Sequence, residues 1–419
     1  MRTDVSSDGQ PASPWTRTVI LAVACGALIV TISMGVRQSF GLFMQPIGRD
    51  FGMGRESFAL AVAVQNLLFG LVQPFIGALS DRWGARCVLV VGAVVYAAGL
   101  VLAAFAQAPA TIMAALGIMV GLALSATTFV VVLGAVGRLV SPAHRSTAFG
   151  LVTAGGSFGQ FAVVPIAQQW ISGLGWRDAL VGLAALFLVL IIAAWGLARP
   201  QSAANGSTAG DGEPLARALA GAFRSPHYGL LNLGFFVCGF HIAFVGTHFP
   251  AYLVDQGLPA WVGAYALALV GLFNIAGSYL FGVWGGRQSR PRLLSALYAG
   301  RALMIAVFLV APLSPSSALV FAAAFGFLWL GTVPLTSGAV ANMFGLTHLS
   351  TLYGIVFLSH QIGSFLGAWS AGRWFDITGN YQPIWIASIV LGLAAAVVSF
   401  FTDDRHVPRA VMAVRGAPA

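Results

Sequence analysis

Apolar residues form twelve long stretches along this chain, separated by short breaks rich in charged residues, glycine or proline. A helix of about 20 apolar residues crosses the hydrocarbon core of a bilayer. The pattern therefore predicts twelve membrane-spanning helices, near 18–46, 57–79, 86–107, 110–137, 146–170, 178–198, 227–254, 260–284, 293–312, 316–342, 349–372 and 382–402.

The composition agrees with this pattern and excludes a water-soluble protein. Of 419 residues, 58% are hydrophobic and 8% are charged. A soluble domain carries about 25% charged residues, so this chain could not cover a soluble surface. The expected fold class is an all-α polytopic membrane protein.

The charge distribution predicts the orientation. All 21 basic residues are arginine, against 12 acidic residues, which gives a net charge of +9. With cytoplasmic termini, fifteen arginines fall in cytoplasmic segments and four in outer ones (Arg49, Arg55, Arg177 and Arg373). Such a bias is the positive-inside rule. We expect both termini to be cytoplasmic, a cell inner membrane location, and no nucleic-acid partner.

One long polar interior stretch divides the chain. It predicts a tail at 1–17, a six-helix bundle at 18–198, a cytoplasmic linker at 199–226, a second bundle at 227–402 and a tail at 403–419. Shifting the sequence by 204 residues places Gly159 on Gly363 and Phe161 on Phe365. One constant offset favours a duplicated bundle.

The loop after the second predicted helix carries a sharper signal. Residues 77–86 read G-A-L-S-D-R-W-G-A-R, which resembles the G-x-x-x-D-R-x-G-x-R signature of the major facilitator superfamily. The resemblance implies two pseudo-symmetric six-helix bundles that alternate access to a central cavity. It also implies a cytoplasmic conformational gate formed by Gly77, Asp81, Arg82, Gly84 and Arg86.

Two further stretches, 39–43 and 372–381, resemble the monocarboxylate porter and oxalate/formate antiporter branch. The helix-8 charges of that branch are absent, because 260–284 is uncharged. We expect a transporter, secondary or facilitative, for a small monocarboxylate-like anion, with a proton as a possible co-substrate and the protein as a monomer in the bilayer. The alternative is efflux of amphipathic or aromatic compounds through an apolar cavity that includes Phe327 and Trp329. A sensor or scaffold would need a soluble signalling domain.

Arg37 is the leading candidate for substrate contact. A charge in the hydrocarbon costs about 2.5 to 3.5 kcal/mol on insertion scales, so ionisable residues at membrane depth indicate function. Arg37 lies about 20 residues into the first predicted helix, which the resemblance places beside the cavity. A guanidinium there could bind a carboxylate through two hydrogen bonds. The alternative is an arginine bonded to helix-end carbonyls.

Histidines supply the candidates for proton coupling. His241, His248 and Asp255 recur every seven residues, which keeps them on one helix stripe. Imidazole titrates near neutral pH, so this stripe could relay a proton; alternatively, His248 and Asp255 are outer-gate hydrogen-bonding residues and His241 alone meets the cavity, where it is a candidate for substrate binding. His360 and Gln361 are candidates for proton or substrate binding, or for helix packing beside the small-residue pair Gly363 and Gly367.

Neutral polar residues complete the candidate site. Asn274 and Thr332 could orient a ligand or join helices, whereas Arg301, on a peripheral helix, is expected to be structural. Residues 155–159 match G-x-S-x-G, but a hydrolase elbow needs a strand before a helix. We expect no enzyme, cofactor or metal site.

Overall fold

The computed structural model describes residues 15–141, 144–197, 214–345 and 348–405. Regular structure within these ranges is helical. The helices are α1 Arg17–Gln38, α2 Phe40–Phe51, α3 Arg55–Trp83, α4 Ala85–Ala104, α5 Pro109–Ile112, α6 Val120–Thr127, α7 Phe129–Leu139, α8 Arg145–Leu174, α9 Trp176–Trp195, α10 Leu215–Arg224, α11 Pro226–Asp255, α12 Ala260–Gly285, α13 Arg290–Val310, α14 Pro315–Phe327, α15 Thr332–Phe344, α16 Leu349–Thr378 and α17 Gln382–Phe400.

Within the described ranges, eleven helical segments are long and apolar enough to cross a membrane. They match eleven of the twelve predicted helices. The remaining prediction, 349–372, corresponds to α16, a helix of 30 residues. Its middle carries polar residues, among them Ser359, His360, Gln361 and Ser364, which lower its hydropathy; His360 and Gln361 form the contacts described below.

Three of the predicted helices are not continuous. The first breaks at Ser39, between α1 and α2. The fourth contains a π-helical segment at Met113–Met119 and breaks at Thr128, between α6 and α7. The tenth breaks between α14 and α15. Discontinuous helices at membrane depth expose backbone groups, and in transporters they line solute sites.

Side chains from neighbouring helices form hydrogen bonds with the backbone groups that the break in the tenth helix leaves unpaired. Arg301 of α13 donates to the carbonyl of Leu328 from Nε at 2.9 Å and from Nη2 at 2.7 Å, and also to the carbonyl of Trp329. Asn274 of α12 accepts from the main-chain nitrogen of Leu330 at 2.9 Å. The structural role predicted for Arg301 is confirmed.

The helices form two halves, each with its own apolar core. One half holds α1–α9 and the other holds α11–α17. The halves meet mainly where α3 packs on α16 and α8 packs on α12. Helix α8 begins at Arg145 and α16 at Leu349, the same 204-residue offset as the sequence repeat, and both contain 30 residues.

The two ends of the bundle differ in what they carry. We call the end with Arg17, Arg224 and Thr402 the terminal side, and the end with Arg55 and Asp255 the distal side. The predicted linker at 199–226 is partly helical, because α10 occupies Leu215–Arg224 before α11 begins.

Candidate functional site

Six side chains form a closed ring of contacts where α3 crosses α16, near the middle of both helices. We call this set the central cluster: Arg37, Asn66, Phe69, Phe357, His360 and Gln361. Three members belong to each half. On α3, Asn66 and Phe69 are three residues apart, and on α16 Phe357 is followed by His360 at i+3 and Gln361 at i+4. Such spacings place residues on one helix face.

Hydrogen bonds form one side of the central cluster. Arg37 donates from Nη2 to the side-chain oxygen of Asn66. Gln361 donates from Nε2 to the main-chain oxygen of Asn66 at 2.9 Å, across the boundary between the halves. His360 donates from Nδ1 to Oε1 of Gln361 at 3.0 Å. These bonds connect the arginine of one half to the histidine of the other.

Aromatic contacts form the other side. The Arg37 guanidinium carbon lies 5.6 Å from the centroid of the Phe69 ring. Phe69 meets Phe357 edge-to-face at 5.7 Å between centroids, and Phe357 stacks parallel to His360 at 5.9 Å. Phe235 lies on another side of the imidazole at 4.8 Å. The rings surround the guanidinium and the imidazole with apolar surface.

Two polar atoms of the central cluster have no hydrogen-bond partner among the described residues. They are Nε of Arg37 and Nε2 of His360, both buried. Arg37 also forms no ion pair within the described ranges. A buried polar group without a partner costs about 1 to 3 kcal/mol, and more when it is charged. The cluster therefore presents a free donor and a free acceptor.

The other histidine of the predicted central site lies elsewhere. His241 of α11 bonds through Nε2 to the main-chain oxygen of Ser388 on α17 at 2.8 Å and is fully buried. This contact directs the imidazole into the second half. Thr332 is likewise buried there, with its hydroxyl 3.2 Å from the sulfur of Cys238.

Asn274 joins helices rather than facing open space. Its amide nitrogen donates to the hydroxyl of Ser157 on α8 at 2.8 Å, and its oxygen accepts from Ser278 and from the nitrogen of Leu330. Trp329 is also fully buried in the core of the second half, and Phe327 packs 5.8 Å from Phe281.

His248 and Asp255 lie at the distal side, where polar residues of both halves meet. We call this set the distal lock: Gln45, Arg55, Glu56, Asp255, Trp369, Arg373, Asp376 and Tyr381. Arg55 and Asp255 form two contacts of 2.6 Å, one for each carboxylate oxygen. Gln45 also donates to Asp255 at 3.0 Å. Paired contacts of this kind are among the strongest that side chains form.

His248 is buried next to the distal lock and bonds to one of its members, Tyr381. Its Nε2 donates to the carbonyl of Ala368 at 2.8 Å, so its Nδ1 accepts from the hydroxyl of Tyr381 at 2.8 Å. That hydroxyl in turn accepts from Nη1 of Arg55 at 2.8 Å. Every donor in the chain of bonds is satisfied, and the Arg55 guanidinium also lies 3.7 Å from the centroid of the Phe375 ring.

The start of α3 contributes the remaining contacts of the distal lock. Asp376 accepts from the main-chain nitrogens of Arg55 and Glu56 at 2.8 and 2.9 Å. Glu56 accepts from the Trp369 indole at 3.0 Å and pairs with Arg373 at 3.2 Å. The N-terminus of α3 in the first half is thus bonded to α16 of the second half.

Comparisons with known proteins agree with this architecture. The model of the Major Facilitator Superfamily matches residues 24–368, which include the central cluster. The chain belongs to the major facilitator superfamily. It is therefore a secondary transporter and not an enzyme, and the resemblance drawn from the signature at 77–86 is confirmed.

Relatives of this transporter match most of its length. Monocarboxylate transporter 13 of Rattus norvegicus is 28% identical over 398 residues, covering 93% of this chain and 89% of that protein. The uncharacterized MFS-type transporter YcxA of Bacillus subtilis (strain 168) is 25% identical, covering 86% and 90%.

A solved structure shows the same fold. A bacterial homolog to the human lysosomal transporter Spinster, in an inward-facing and unoccupied conformation, superposes with a TM-score of 0.73 at 17% identity. The match covers 94% of this chain and all of that one.

The signature residues of this transporter lie at the terminal side, at the junction of α3 and α4. Gly84 has φ of 87°, which permits the sharp turn between the helices. Arg86 donates to the carbonyls of Trp195 and Leu197 at the end of α9, and Arg82 is exposed. A side chain at Gly77 would press on Val130 of α7. The side chain of Asp81 lies outside the described residues.

Sequence reasoning missed Asn66 and most of the distal lock. Asn66 is a neutral residue in an apolar stretch, and only its position opposite Arg37 and Gln361 distinguishes it from interhelical polar residues. The sequence pattern indicates only that Arg55 and Arg373 are outer arginines that set the orientation. A cue existed for the lock, because both fall within a few residues of acidic side chains at predicted helix ends.

Proposed function

We propose that this transporter moves a small organic anion of the monocarboxylate type by alternating access, with Arg37 binding the carboxylate. One observation carries the proposal: a guanidinium near the middle of the membrane has a free Nε and no ion pair among the described residues. The names of the monocarboxylate transporter relatives support the same substrate class.

The energetics favour an anionic ligand. An arginine at the centre of a bilayer is costly, by about 2.5 to 3.5 kcal/mol on insertion scales. The Asn66 oxygen and the Phe69 ring offset part of this cost but leave the charge uncompensated. A carboxylate would supply the missing charge and charge-assisted hydrogen bonds. The site is thus built to favour a bound anion over an empty state.

His360 and Gln361 provide the contact from the second half. The free Nε2 of His360 can accept a hydrogen bond from a donor on the substrate, or a proton that accompanies it. Imidazole is the side chain whose charge changes near neutral pH. We therefore propose that His360 couples proton and anion movement.

Alternating access requires contacts that form and break at the two ends of the bundle. The distal lock joins the halves by ion pairs in this conformation, and it must separate for the distal side to open. The signature residues Gly77, Asp81, Arg82, Gly84 and Arg86 are proposed to act at the terminal side. Asp255 belongs to the distal lock in this scheme and His248 bonds to its member Tyr381, while His241, Asn274 and Thr332 hold the helices that frame the site.

The arginine distribution supports one orientation. Most arginines fall in segments at the terminal side, which by the positive-inside rule favours cytoplasmic termini. The proposed location is the cell inner membrane.

Ligand-dependent thermal stability of the purified protein tests the substrate class. A ligand that binds the folded state raises its apparent melting temperature by mass action. The probes are acetate, pyruvate and benzoate, each beside its neutral amide, and an aromatic cation. We expect at least one carboxylate to stabilise wild type more than its amide does, and Arg37→Gln to abolish that difference.

Arg217→Gln is the matched control, because Arg217 is an exposed arginine of α10 remote from the central cluster. It should behave as wild type. Stabilisation of wild type and Arg37→Gln alike by the aromatic cation, with no response to carboxylates, would overturn the anion proposal and favour efflux of aromatic compounds.

A further inference from the structure

We infer that Asn66 is a positioning residue that sets the charge selectivity of the Arg37 site and connects that site to the second half. The inference rests on the proposed function and assigns the selectivity to a residue that does not itself bind the solute. It begins from the two bonds that Asn66 forms. Its side-chain oxygen accepts from Arg37 and its main-chain oxygen accepts from Gln361.

The Asn66 side chain orients the guanidinium. Asn66 is 2% exposed, so its oxygen has a fixed direction. The bond it accepts uses Nη2 of Arg37 and leaves Nε without a partner. The Phe69 ring, one helical turn along α3, lies beside the same guanidinium. Both contacts come from one helix, so α3 determines which guanidinium nitrogens are open to a ligand.

The amide of Asn66 determines how much positive charge remains. An amide oxygen accepts a hydrogen bond but carries no net charge, so Arg37 keeps its full charge for a ligand. A carboxylate in the same place would form an ion pair with the guanidinium and compete with an anionic solute. Because its partner Asn66 is neutral, the positive charge of Arg37 remains available to an anionic ligand.

The main-chain bond extends this arrangement across the boundary between the halves. Gln361 bonds to Asn66 and also accepts from His360. Helices α3 and α16 approach closely here: a Cβ added at Gly70 would lie only 2.6 Å from Cγ of Gln361. A shift of α3 that accompanies anion binding therefore acts directly on α16, without an intervening side chain from another helix.

Two substitutions separate charge from space filling. Asn66→Asp preserves the shape and adds a negative charge, whereas Asn66→Ala removes the oxygen and preserves neutrality. If Asn66 only filled space, the isosteric Asn66→Asp would be the milder change. The inference gives the reverse order: Asn66→Asp should reduce the preference for a carboxylate over its amide on the order of tenfold or more, and Asn66→Ala should reduce it less.

The measurement is the apparent dissociation constant of each carboxylate and amide named above, from thermal stability in detergent. Binding of the amides should stay within about twofold of wild type in both variants, because Asn66 acts only through Arg37. Asn380→Asp is the isosteric control. Asn380 lies at the distal surface and its oxygen accepts from the nitrogen of Gln382, which a carboxylate does equally well.

The possible outcomes distinguish failure of the Asn66 inference from failure of the proposed function. A wild-type preference for carboxylates that Asn66→Asp leaves intact overturns the inference and leaves the proposed function standing. Absence of any carboxylate response in wild type overturns both. If Asn66→Asp is not recovered as a folded protein, Asn66→Ala decides: equal weakening of carboxylate and amide would show that Asn66 only maintains the structure.

Discussion

Asp376, at the end of α16, accepts a hydrogen bond from the main-chain nitrogen of Arg55 at 2.8 Å and so caps a helix of the opposite half. The N-terminus of α3 has no cap of its own, because Gly54 precedes it and has no side chain to bond to the first turn. The first turn of a helix carries free N–H groups and a partial positive charge, which a carboxylate stabilises. The first turn of α3 therefore has this carboxylate as its cap only while the distal side is closed.

Asp376→Asn should shift the protein toward conformations that are open at the distal side. Loss of the negative charge at the start of α3 costs about 1 to 2 kcal/mol, which changes a two-state population roughly five- to thirtyfold. Distances between spin labels at Asp178 and Gln256, which are exposed on the distal side of the two halves, report this shift. The labels go into a variant without Cys25, Cys87 and Cys238.

Asp50→Asn is the matched control for that experiment. Asp50 also lies at the distal side, but its ion pair of 2.9 Å is with Arg177 of the same half. Its loss should leave the distance distribution unchanged. A distribution for Asp376→Asn that is identical to wild type would show that the trans cap does not contribute to distal closure.

Tyr381→Phe should lower the stability of the folded protein. The substitution removes the hydroxyl between Arg55 and His248 and leaves the buried Nδ1 of His248 without a partner. A cost of about 1 to 3 kcal/mol is expected for such a group, seen as a lower apparent melting temperature. Tyr252→Phe is the control, because the Tyr252 hydroxyl forms no hydrogen bond among the described residues; equal losses would contradict the prediction.

Gly363→Ala should prevent normal packing of α11 on α16. A Cβ at Gly363 would overlap the carbonyl oxygen of Phe236, which is backbone and cannot turn aside. We expect a loss of about 1 to 3 kcal/mol or more, measured as a lower yield of monodisperse protein and a lower melting temperature. Gly354→Ala, in the same helix, meets no atom within 4 Å and should be tolerated. Similar behaviour of the two variants would refute the close approach.

His360→Asn should uncouple anion movement from protons if His360 carries the proton. Uptake driven by a pH gradient in proteoliposomes should fall at least about tenfold, because an amide does not titrate, while counterflow exchange of the same anion continues. His227→Asn is the control at the terminal side, where His227 accepts from the main-chain nitrogen of Asp403. Gradient-driven uptake that survives in His360→Asn would remove this residue from the coupling mechanism.

Arg301→Met should destabilise the second half. Arg301 donates to the carbonyls of Leu328 and Trp329 just after α14. Methionine has no donor, so these carbonyls would lose the hydrogen bonds that Arg301 forms. A loss of about 2 kcal/mol or more is expected for buried groups of this kind, measured as a lower melting temperature without added solute. Arg292→Met, at an exposed position of α13, should stay within about 0.5 kcal/mol of wild type.

Polar residues that stand alone within long apolar stretches were predictable as candidate site residues from the sequence. Arg37 is an ionisable residue within a long apolar stretch, and His360 and Gln361 interrupt another, so each is conspicuous without any structure. Asn66 resembles many interhelical polar residues, and its role depends on two partners, one 29 residues before it and one 295 residues after it. His241 and His248 share a stripe as predicted, but only the packing shows that this stripe faces α17, with His241 bonded to Ser388 and His248 to Tyr381, the N-cap residue of that helix.

The sequence by itself determined the helical class, the two halves and the superfamily, because the length of an apolar stretch, its spacing and a short loop signature are local properties. It also determined which residues are too polar for the lipid. The tertiary structure decided which of them meet. The central cluster and the distal lock join side chains that lie hundreds of residues apart in the chain, and their geometry follows from how α3 crosses α16, which depends on the packing of both halves.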